Sequence, residues 1–458
     1  MFSDDTIAAI STPPGRGGIG VIRLSGPDAL NITNSLFRFD STTTAAWEPN
    51  RARFGYVIDP ISNELIDEVV VTYYKGPHSY TGEDTVEISC HGSPVILSRV
   101  LRIAVEKGAR LAEPGEFTFR AFFNGRIDLT QAQAVRDLIN AQTQYQARVA
   151  TRQLDGELSR RLAPFKDSLI EVIVHLESSI EFVEEDISPE KSSSLQEKLA
   201  NIVDGLNEIA GSFTFGRYVR EGFDLAIVGR PNVGKSSIFN RLVGVDRAIV
   251  TPLPGTTRDA LYENTSISGV PVRLIDTAGI RETSDLVESI GVTRSKSAIA
   301  DADISLLVLD ASDSLNDDDL SLLNHVPVQY RIVALNKSDL PQRISAKSLR
   351  SIGDGITEIS ALTGEGFDSL TEKIFDRLAG AEATERDGLI LTDARQHDAV
   401  RRAIEHATRA VEMIRQREHE EILLLSLRGT LSTLGEITGE TLTEDILSQI
   451  FSTFCIGK

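Results

Sequence analysis

The sequence predicts a multidomain α/β protein: an N-terminal α+β domain, followed by an α-helical domain into which an α/β domain is inserted. Three observations predict it. At 458 residues the chain is long for one domain, since domains run roughly 100–200 residues. The apolar period changes from that of a strand to that of a helix near Phe119. From Asp224 to about Gly380, short apolar runs alternate with helical segments, the pattern of a parallel sheet covered by helices.

Residues 1–118 are expected to form the α+β domain. The β-rich runs GIGVIRLSG from Gly18 and EVVVTYY from Glu68 are broken by Pro13-Pro14-Gly15 and Gly76-Pro77. Apolar and polar residues alternate over Thr85–Ser89, so Val86 and Ile88 face a core and Glu87 faces the other side. Residues 119–220 are expected to be the first part of the helical domain. Leu162, Phe165, Leu169, Val172, Leu176, Ile180 and Val183 form one stripe, and Leu195, Leu199, Ile202, Leu206 and Ile209 another. Ser188-Pro189 breaks the chain between them, with Ser192–Ser194 expected as caps. Residues 221–380 carry the runs LAIVG, VRLIDT, ISLLVLD and RIVALNK. Over residues 381–458 a helical stripe returns (Val400, Ala403, Ile404, Ala407, Val411, Ile414). It cannot be buried alone, and the nearest partners are the helices before residue 220. The helical domain is therefore discontinuous.

The formal net charge is −20, which argues against a general nucleic-acid coat protein. From Arg99 to Arg161 the local balance is +4, which fits a solvated helix surface or a basic patch for a polyanion equally well. No apolar run has the length of a membrane span. The acidic start MFSDDTIAAI resembles neither a secretory signal nor a transit peptide. Cys90 and Cys455, the two cysteines, exclude a disulfide framework and a four-cysteine zinc site. The expected compartment is the cytoplasm, without membrane association, and the histidines show no metal spacing.

Gly229-Arg-Pro-Asn-Val-Gly-Lys-Ser236 follows the strand LAIVG and opens the helix SSIFNRLV. That context makes it a phosphate loop. Backbone N–H groups of Asn232, Val233, Gly234, Lys235, Ser236 and Ser237 can cradle phosphate oxygens at a helix N-terminus. Lys235 is expected at the β- and γ-phosphates and the Ser236 hydroxyl on Mg²⁺. Further motifs appear in the order a GTPase requires. In Pro254-Gly255-Thr256-Thr257-Arg258-Asp259, Thr257 is the second Mg²⁺ ligand candidate. In Asp276-Thr277-Ala278-Gly279, Asp276 suits the outer Mg²⁺ shell and the Gly279 N–H the γ-phosphate. In Asn336-Lys337-Ser338-Asp339, the Asp339 carboxylate can accept from both N1–H and the 2-amino group of guanine, a donor pair adenine lacks. Ser360, Ala361 and Leu362 would finish the base pocket through backbone N–H groups. Many small GTPases place a water-orienting Gln after this Gly, but here Ile280 and Arg281 follow. Arg230 and Arg258 could serve as internal charge donors or be plain surface arginines.

The set GRPNVGKSS, PGTTRD, DTAGIRETSDLVESIG and NKSD, with TPPGRGGIGVIRLSG, SYTGEDTVEISCHGSP, EPGEFTFRAFFNGRIDLTQAQAV and the ending FCIGK, resembles the tRNA-modification GTPase family MnmE (TrmE), one of the TrmE-Era-EngA-like GTPases. The resemblance spans essentially the whole chain. It implies that the N-terminal domain binds folate and dimerises, and that the inserted domain is Ras-like. It implies a homodimer that works with the FAD-dependent partner MnmG in a heterotetramer. Together they add a carboxymethylaminomethyl or aminomethyl group at carbon 5 of the wobble uridine of certain tRNAs, with a 5-formyl- or methylene-tetrahydrofolate as one-carbon donor. It implies hydrolysis activated by G-domain dimerisation around K⁺, held by Asn232 with carbonyls near Thr251, Leu253 and Thr256; Pro252 lies in the same nucleotide-contacting loop. It implies Glu288 as the water-orienting residue, and Arg23, Glu87, Arg126 and Lys458 as folate contacts. Glu83 is the near alternative to Glu87. Cys455 is a candidate catalytic thiol, and Cys90 reads as packing. Two other readings fit parts of the pattern: a GTP-dependent ribosome-assembly factor, and a folate-dependent methyl transferase with a regulatory G domain.

Overall fold

A computed structural model describes residues 5–39, 47–181, 189–245, 262–276, 302–347, 349, 355–380 and 390–457. The chain divides into two compact units, one of Met1–Arg136, Leu154–Gly156 and Gly435–Lys458, the other of Asp137–Gln153 and Glu157–Leu434.

In the first unit, strands β1 (Ile7–Ile10), β2 (Gly17–Ser25), β3 (Phe37–Phe39), β4 (Ala52–Ile58), β5 (Leu65–Tyr74), β6 (Thr85–Gly92) and β7 (Arg110–Leu111) form one sheet. Its order is β3-β4-β5-β6-β2-β1-β7. All neighbours run antiparallel except β1 and β7. Alternation decides which face is buried: Ile22, Leu24, Val57, Val71, Val86 and Ile88 are fully buried and pack with helices α1 (Ala29–Leu36) and α2 (Pro94–Glu106). Arg23 and Glu87 project from the other face as register partners.

Helices α3 (Glu116–Phe123) and α4 (Leu129–Asn140) continue the first unit. The C-terminal segment joins it: Phe451 and Phe454 are buried with Phe119, Leu129 and Ala132, and the Phe119 and Phe451 rings meet edge to face at 5.1 Å. Ile456 takes no part in this core and is 61% exposed. The docking is also a backbone fit. The Gly115 N–H donates to the Cys455 carbonyl over 3.2 Å. Gly457, at φ +90°, lies so close to β1 that a Cβ would stand 2.5 Å from the Ile10 carbonyl oxygen.

A charge network with a buried centre and partly exposed outer members lies in the same unit. Arg120 and Glu116 are almost fully buried. Arg110 Nη2 donates to Glu116 Oε1 over 2.5 Å and Nε to Asp5 Oδ2 over 2.7 Å. Arg120 reaches Asp5 Oδ1 over 2.6 Å and Glu83 Oε2 over 3.1 Å. Ser25 Oγ donates to the same Glu83 oxygen over 2.7 Å. Glu83 is thereby committed to the fold.

In the second unit, β8 (Phe223–Val228), β9 (Tyr262–Ile267), β10 (Val270–Asp276), β11 (Ile304–Asp310), β12 (Arg331–Asn336) and β13 (Ile356–Glu358) form a sheet of order β13-β12-β11-β8-β10-β9. Every pairing is parallel except that of edge strand β9. Every residue of β11 and β12 is buried, because helices cover both faces. Leu225, Ile227, Leu306 and Val308 pack with Ile238 and Leu242 of α9 (Lys235–Val245) and Leu370 and Ile374 of α11 (Phe367–Ala379). Leu307, Leu309, Val333 and Leu335 pack with Leu323 of α10 (Asp317–His325).

The remaining elements are α5 (Gln144–Leu154), α6 (Glu157–Glu181), α7 (Pro189–Gly211), α8 (Phe213–Glu221), α12 (Ala394–Gln416), α13 (Glu420–Thr438) and α14 (Glu444–Phe451). Helix α12 packs along α7, and Leu169, Leu176, Leu199 and Leu206 of the two expected stripes are fully buried. Ser192–Ser194 fall inside α7, which begins at Pro189. Proline suits a first helical position because its missing N–H would be unbonded there anyway.

Burial alone would raise the Glu116 carboxyl, but bonds from Arg110, the Glu113 N–H and Arg120 outweigh it and hold it below the usual range. Asp5 is likewise raised by burial but lowered more by Arg110 and Arg120. Both folded values are depressed, so their stabilisation is complete above the ordinary carboxylate values near about 4 and is lost as pH falls through the depressed ones. Thermal unfolding followed against pH should show a flat midpoint above about pH 5 and a fall below about pH 4. Glu116→Gln should make that fall shallower; an unchanged acid slope would remove Glu116 as a contributor.

Candidate functional site

The C-terminal ends of β8, β10, β12 and β13 open on one edge of the second sheet, where α/β sheets hold their ligands. β8 ends at Val228, and Gly229–Gly234 turn the chain into α9. A Cβ on Gly229 would lie 2.5 Å from the Val308 carbonyl oxygen. At Gly234, φ +99°, it would collide with the Asn336 amide. Asn232 takes a left-handed φ of +64° at the exposed crest of the loop. Lys235 Nζ donates to the carbonyls of Gly229 and Arg230, each over 2.9 Å, which holds the ammonium across the mouth of the loop. Ser236 and Ser237 are exposed in the first turn of α9, at its positive end.

Asn336, the last residue of β12, joins three loops while 2% exposed. Its Nδ2 donates to the Val233 carbonyl over 2.8 Å, and its Oδ1 accepts from the Ala361 N–H over 2.9 Å. Ser360 Oγ donates to Asp339 Oδ1 over 2.5 Å. The Ser338 N–H donates to the Ile359 carbonyl over 3.1 Å. Arg241 of α9 donates to the carbonyls of Ala361 and Leu362 over 3.1 and 3.0 Å. The phosphate loop, Asn336–Asp339 and Ser360–Leu362 are thus one connected cluster. One expectation changes in detail. The Ala361 N–H is used by Asn336, and the Ser360 N–H donates to the Glu365 carbonyl over 3.0 Å, so the protein itself takes these two donors.

Arg230 is neither a free surface side chain nor an available charge donor. Its Nη2 donates to Asp313 Oδ2 over 3.0 Å, and its Nε lies 3.5 Å from Asp319 Oδ2. Lys337 Nζ donates to Asp310 Oδ2 over 2.6 Å. Burial pushes the Asp310 carboxyl up, but Lys337 and Ser312 more than offset that and hold it below the usual carboxylate range. The Asp276 backbone ends β10 opposite Ile227 of β8. Thr251, Pro252, Leu253, Pro254, Gly255, Thr256, Thr257, Arg258, Thr277, Ala278, Gly279, Glu288 and Lys458 lie outside the described residues.

A second cluster lies in the first unit. Arg23 and Glu87 form an ion pair, with Nη2–Oε1 2.7 Å and Nε–Oε1 3.0 Å. The Arg23 guanidinium lies 5.4 Å from the Tyr80 ring centroid and 5.6 Å from that of Phe117. Arg126 Nε donates to the Ser79 carbonyl over 3.2 Å, so Arg126 is connected through Ser79-Tyr80 to Arg23. Gly457 meets β1 at Ile10, and Ile10 is the register partner of Ile22, next to Arg23. Cys455 is exposed and Cys90 buried; burial, helped by Asp67, pushes the Cys90 thiol up to about 12, in keeping with packing. Among the described residues, no three His, Cys, Asp or Glu side chains cluster as a metal site, and no helix is long and apolar enough to cross a membrane.

Sequence reasoning did not find Asp310, Arg241, Tyr80 or Phe117. Asp310 had a signal, since it ends the run ISLLVLD where parallel strands meet ligands. Arg241, Tyr80 and Phe117 had none, because their partners are distant in sequence.

The family model described as "MnmE helical domain" matches residues 129–455, and that described as "GTP-binding protein TrmE N-terminus" matches residues 6–126. The chain is 50% identical over 462 aligned positions to the tRNA modification GTPase MnmE of Koribacter versatilis, covering 100% of both. It is 46% identical to that of Aquifex aeolicus, covering 99% of this chain and 100% of the other. With that of Thermoanaerobacter pseudethanolicus identity is 43%, covering 99% of each.

Asn336→Ala would leave the Val233 carbonyl and the Ala361 N–H without their partner. Urea unfolding should show a loss of about 2–3 kcal/mol. An unchanged unfolding midpoint would mean that the three loops are held by other contacts.

Proposed function

The chain belongs to the tRNA modification GTPase MnmE family, and from that premise we propose that it hydrolyses GTP to drive modification of carbon 5 of the wobble uridine in certain tRNAs. In this reading it acts in the cytoplasm as a homodimer, with FAD-dependent MnmG completing a heterotetramer. The group added is carboxymethylaminomethyl or aminomethyl, and its carbon comes from a 5-formyl- or methylene-tetrahydrofolate. The proposed domains are residues 1–118 for folate and dimerisation, 119–220 with 381–458 for the helical domain, and 221–380 for the Ras-like G domain.

The observation that carries the reading is the single cluster made by Asn336 from the phosphate loop, Asn336–Asp339 and Ser360–Leu362. A base-reading carboxylate and a phosphate cradle at fixed separation suit one nucleotide. Lys235 would neutralise the β- and γ-phosphates, and Asp339 would take guanine N1–H and the 2-amino group. The exposed Ser236 hydroxyl, a hard oxygen donor at a helix N-terminus, fits Mg²⁺ with Thr257 as its second protein ligand and Asp276 in the outer shell. The exposed Asn232 fits K⁺, with carbonyls of Thr251, Leu253 and Thr256. When bound, these cations offset charge that develops on the phosphate oxygens. Glu288 would orient the attacking water.

For folate, the Arg23–Glu87 pair beside the Tyr80 and Phe117 rings offers charged hydrogen-bonding groups next to aromatic surface, which suits an amphipathic pterin. Arg126 and Lys458 would meet its anionic parts, and the exposed Cys455 thiol stands on the tail that reaches this strand edge.

Hydrolysis should require K⁺ and be weak in Na⁺. Glu288→Ala should keep nucleotide affinity but lose about 100-fold or more in kcat, as removal of a water-activating group does. Equal rates in the two salts would remove the K⁺ reading, and normal turnover of the variant would remove Glu288.

Deletion of Cys455–Lys458 leaves Phe451 and Phe454 in place. In a strain carrying only this truncated chain, nucleoside analysis should show loss of the modified wobble uridine, while the purified protein still hydrolyses GTP. Wild-type levels of the modified nucleoside would overturn the role of the tail. Loss of GTP hydrolysis as well would reduce the tail to structural packing.

A further inference from the structure

Three of the four residues in Asn336–Asp339 have side chains anchored on different elements. Asn336 is tied to Val233 and Ala361, and Asp339 to Ser360. Between them, Lys337 adopts a left-handed φ of +67°, a conformation that a side chain with a Cβ disfavours. Its carbonyl accepts from the Leu340 N–H over 3.0 Å, and its side chain is held by Asp310: Lys337 Nζ to Asp310 Oδ2, 2.6 Å.

The Asp310 carboxylate is itself fixed. Its Oδ1 accepts from the Ser312 N–H over 2.9 Å and from the Ser312 hydroxyl over 2.7 Å. Its backbone is the register partner of Asn336 across β11 and β12, and the next N–H, that of Ala311, donates to the Asn336 carbonyl over 2.8 Å. The acidic side chain is 10% exposed and the Lys337 side chain 32%, so the pair is partly shielded from water and stronger than a surface pair. The same segment reaches the phosphate loop, because Asp313 receives Arg230.

We propose that Asp310 is a positioning residue of the guanine-nucleotide site. By capturing Lys337 it holds the Asn336–Asp339 loop in the backbone arrangement that presents Asp339 to the base. The proposal rests on the reading of this loop cluster as a guanine-nucleotide site. It acts at the base end, which GTP and GDP share. Without the carboxylate, the Lys337 ammonium returns to water, and the side-chain contact that favours its left-handed backbone is lost. Asp339 then shifts, and a carboxylate that accepts two hydrogen bonds at once tolerates little shift.

The test is binding of fluorescent GDP and of a fluorescent non-hydrolysable GTP analogue to the full chain. The proteins are wild type, Asp310→Asn, Asp310→Glu, Lys337→Met and the Asp310→Asn/Lys337→Met double variant. Asp310→Asn should weaken both nucleotides by the same factor, about tenfold, as expected for loss of a charge-assisted bond. Asp310→Glu should recover part of the loss. The double variant should bind no more weakly than Lys337→Met alone, since each change removes the same pair. A merely structural role for Asp310 would add its own loss in the double variant, and that outcome overturns the proposal. So does Asp310→Asn binding like wild type, or a loss confined to the GTP analogue. Should Asp310→Asn not fold, Lys337→Met breaks the pair without touching the Asp310–Ser312 turn; unchanged binding by that variant is equally fatal. Wild-type protein that binds neither guanine nucleotide removes the site itself, which separates failure of the reading from failure of the clamp.

Discussion

One buried side-chain amide orders the nucleotide-site edge of the second sheet. Asn336 uses its amide nitrogen on the phosphate loop and its amide oxygen on the Ser360–Leu362 loop. The bond to Val233 is buried and that from Ala361 partly so, so losing the first leaves a buried polar group unpaired. The amide also explains Gly234. Any Cβ there would occupy the space of the Asn336 nitrogen, so the final glycine of the phosphate loop answers to a residue about a hundred positions away as much as to phosphate approach. Loops that are individually weak structures become one body because their strands are neighbours in a buried parallel sheet.

The first unit depends on a different constraint, the seating of the chain's C-terminal segment. Phe451 and Phe454 complete a core with α3 and α4, while Gly115 and Gly457 allow close backbone approach on either side. Arg110, Arg120, Asp5, Glu83 and Glu116 lie in the same unit. Breaking one member would leave uncompensated charge in a buried place, so the network constrains which residues can stand there more than it adds stability. Ser25 at the end of β2 bonds to Glu83 of this network, and on β2 and β6 Arg23 and Glu87 face each other. A charged pair flanked by rings can be held in register only if the strands beneath it do not slide.

Local chemistry carried much of the organisation. The alternation at Thr85–Ser89 placed Val86, Ile88 and Glu87 on their correct faces, because a strand's period leaves no freedom. The continuous apolar runs ISLLVLD and RIVALN are buried from end to end because helices cover both sides of β11 and β12. The helix at Pro189 begins earlier than the serine cluster suggested, since proline's own geometry outweighs cap preference.

The sequence by itself determined the phosphate loop and the order of the motifs, because each is a short run whose chemistry lies within its own residues. It also gave the helices expected after about Gly380 a reason to seek partners from before residue 220, since an apolar stripe cannot remain exposed, and α12 packs along α7. Tertiary structure alone decided which groups those motifs leave for a ligand. The Ala361 and Ser360 N–H groups are taken by the protein, Arg230 is held by Asp313 and Asp319, Lys337 belongs to Asp310, and Arg23 lies between Glu87, Tyr80 and Phe117. Hydrogen bonds and ion pairs act over about 3 Å, and the sheets bring together residues from distant parts of the chain. Spacing along the sequence contains no measure of that distance.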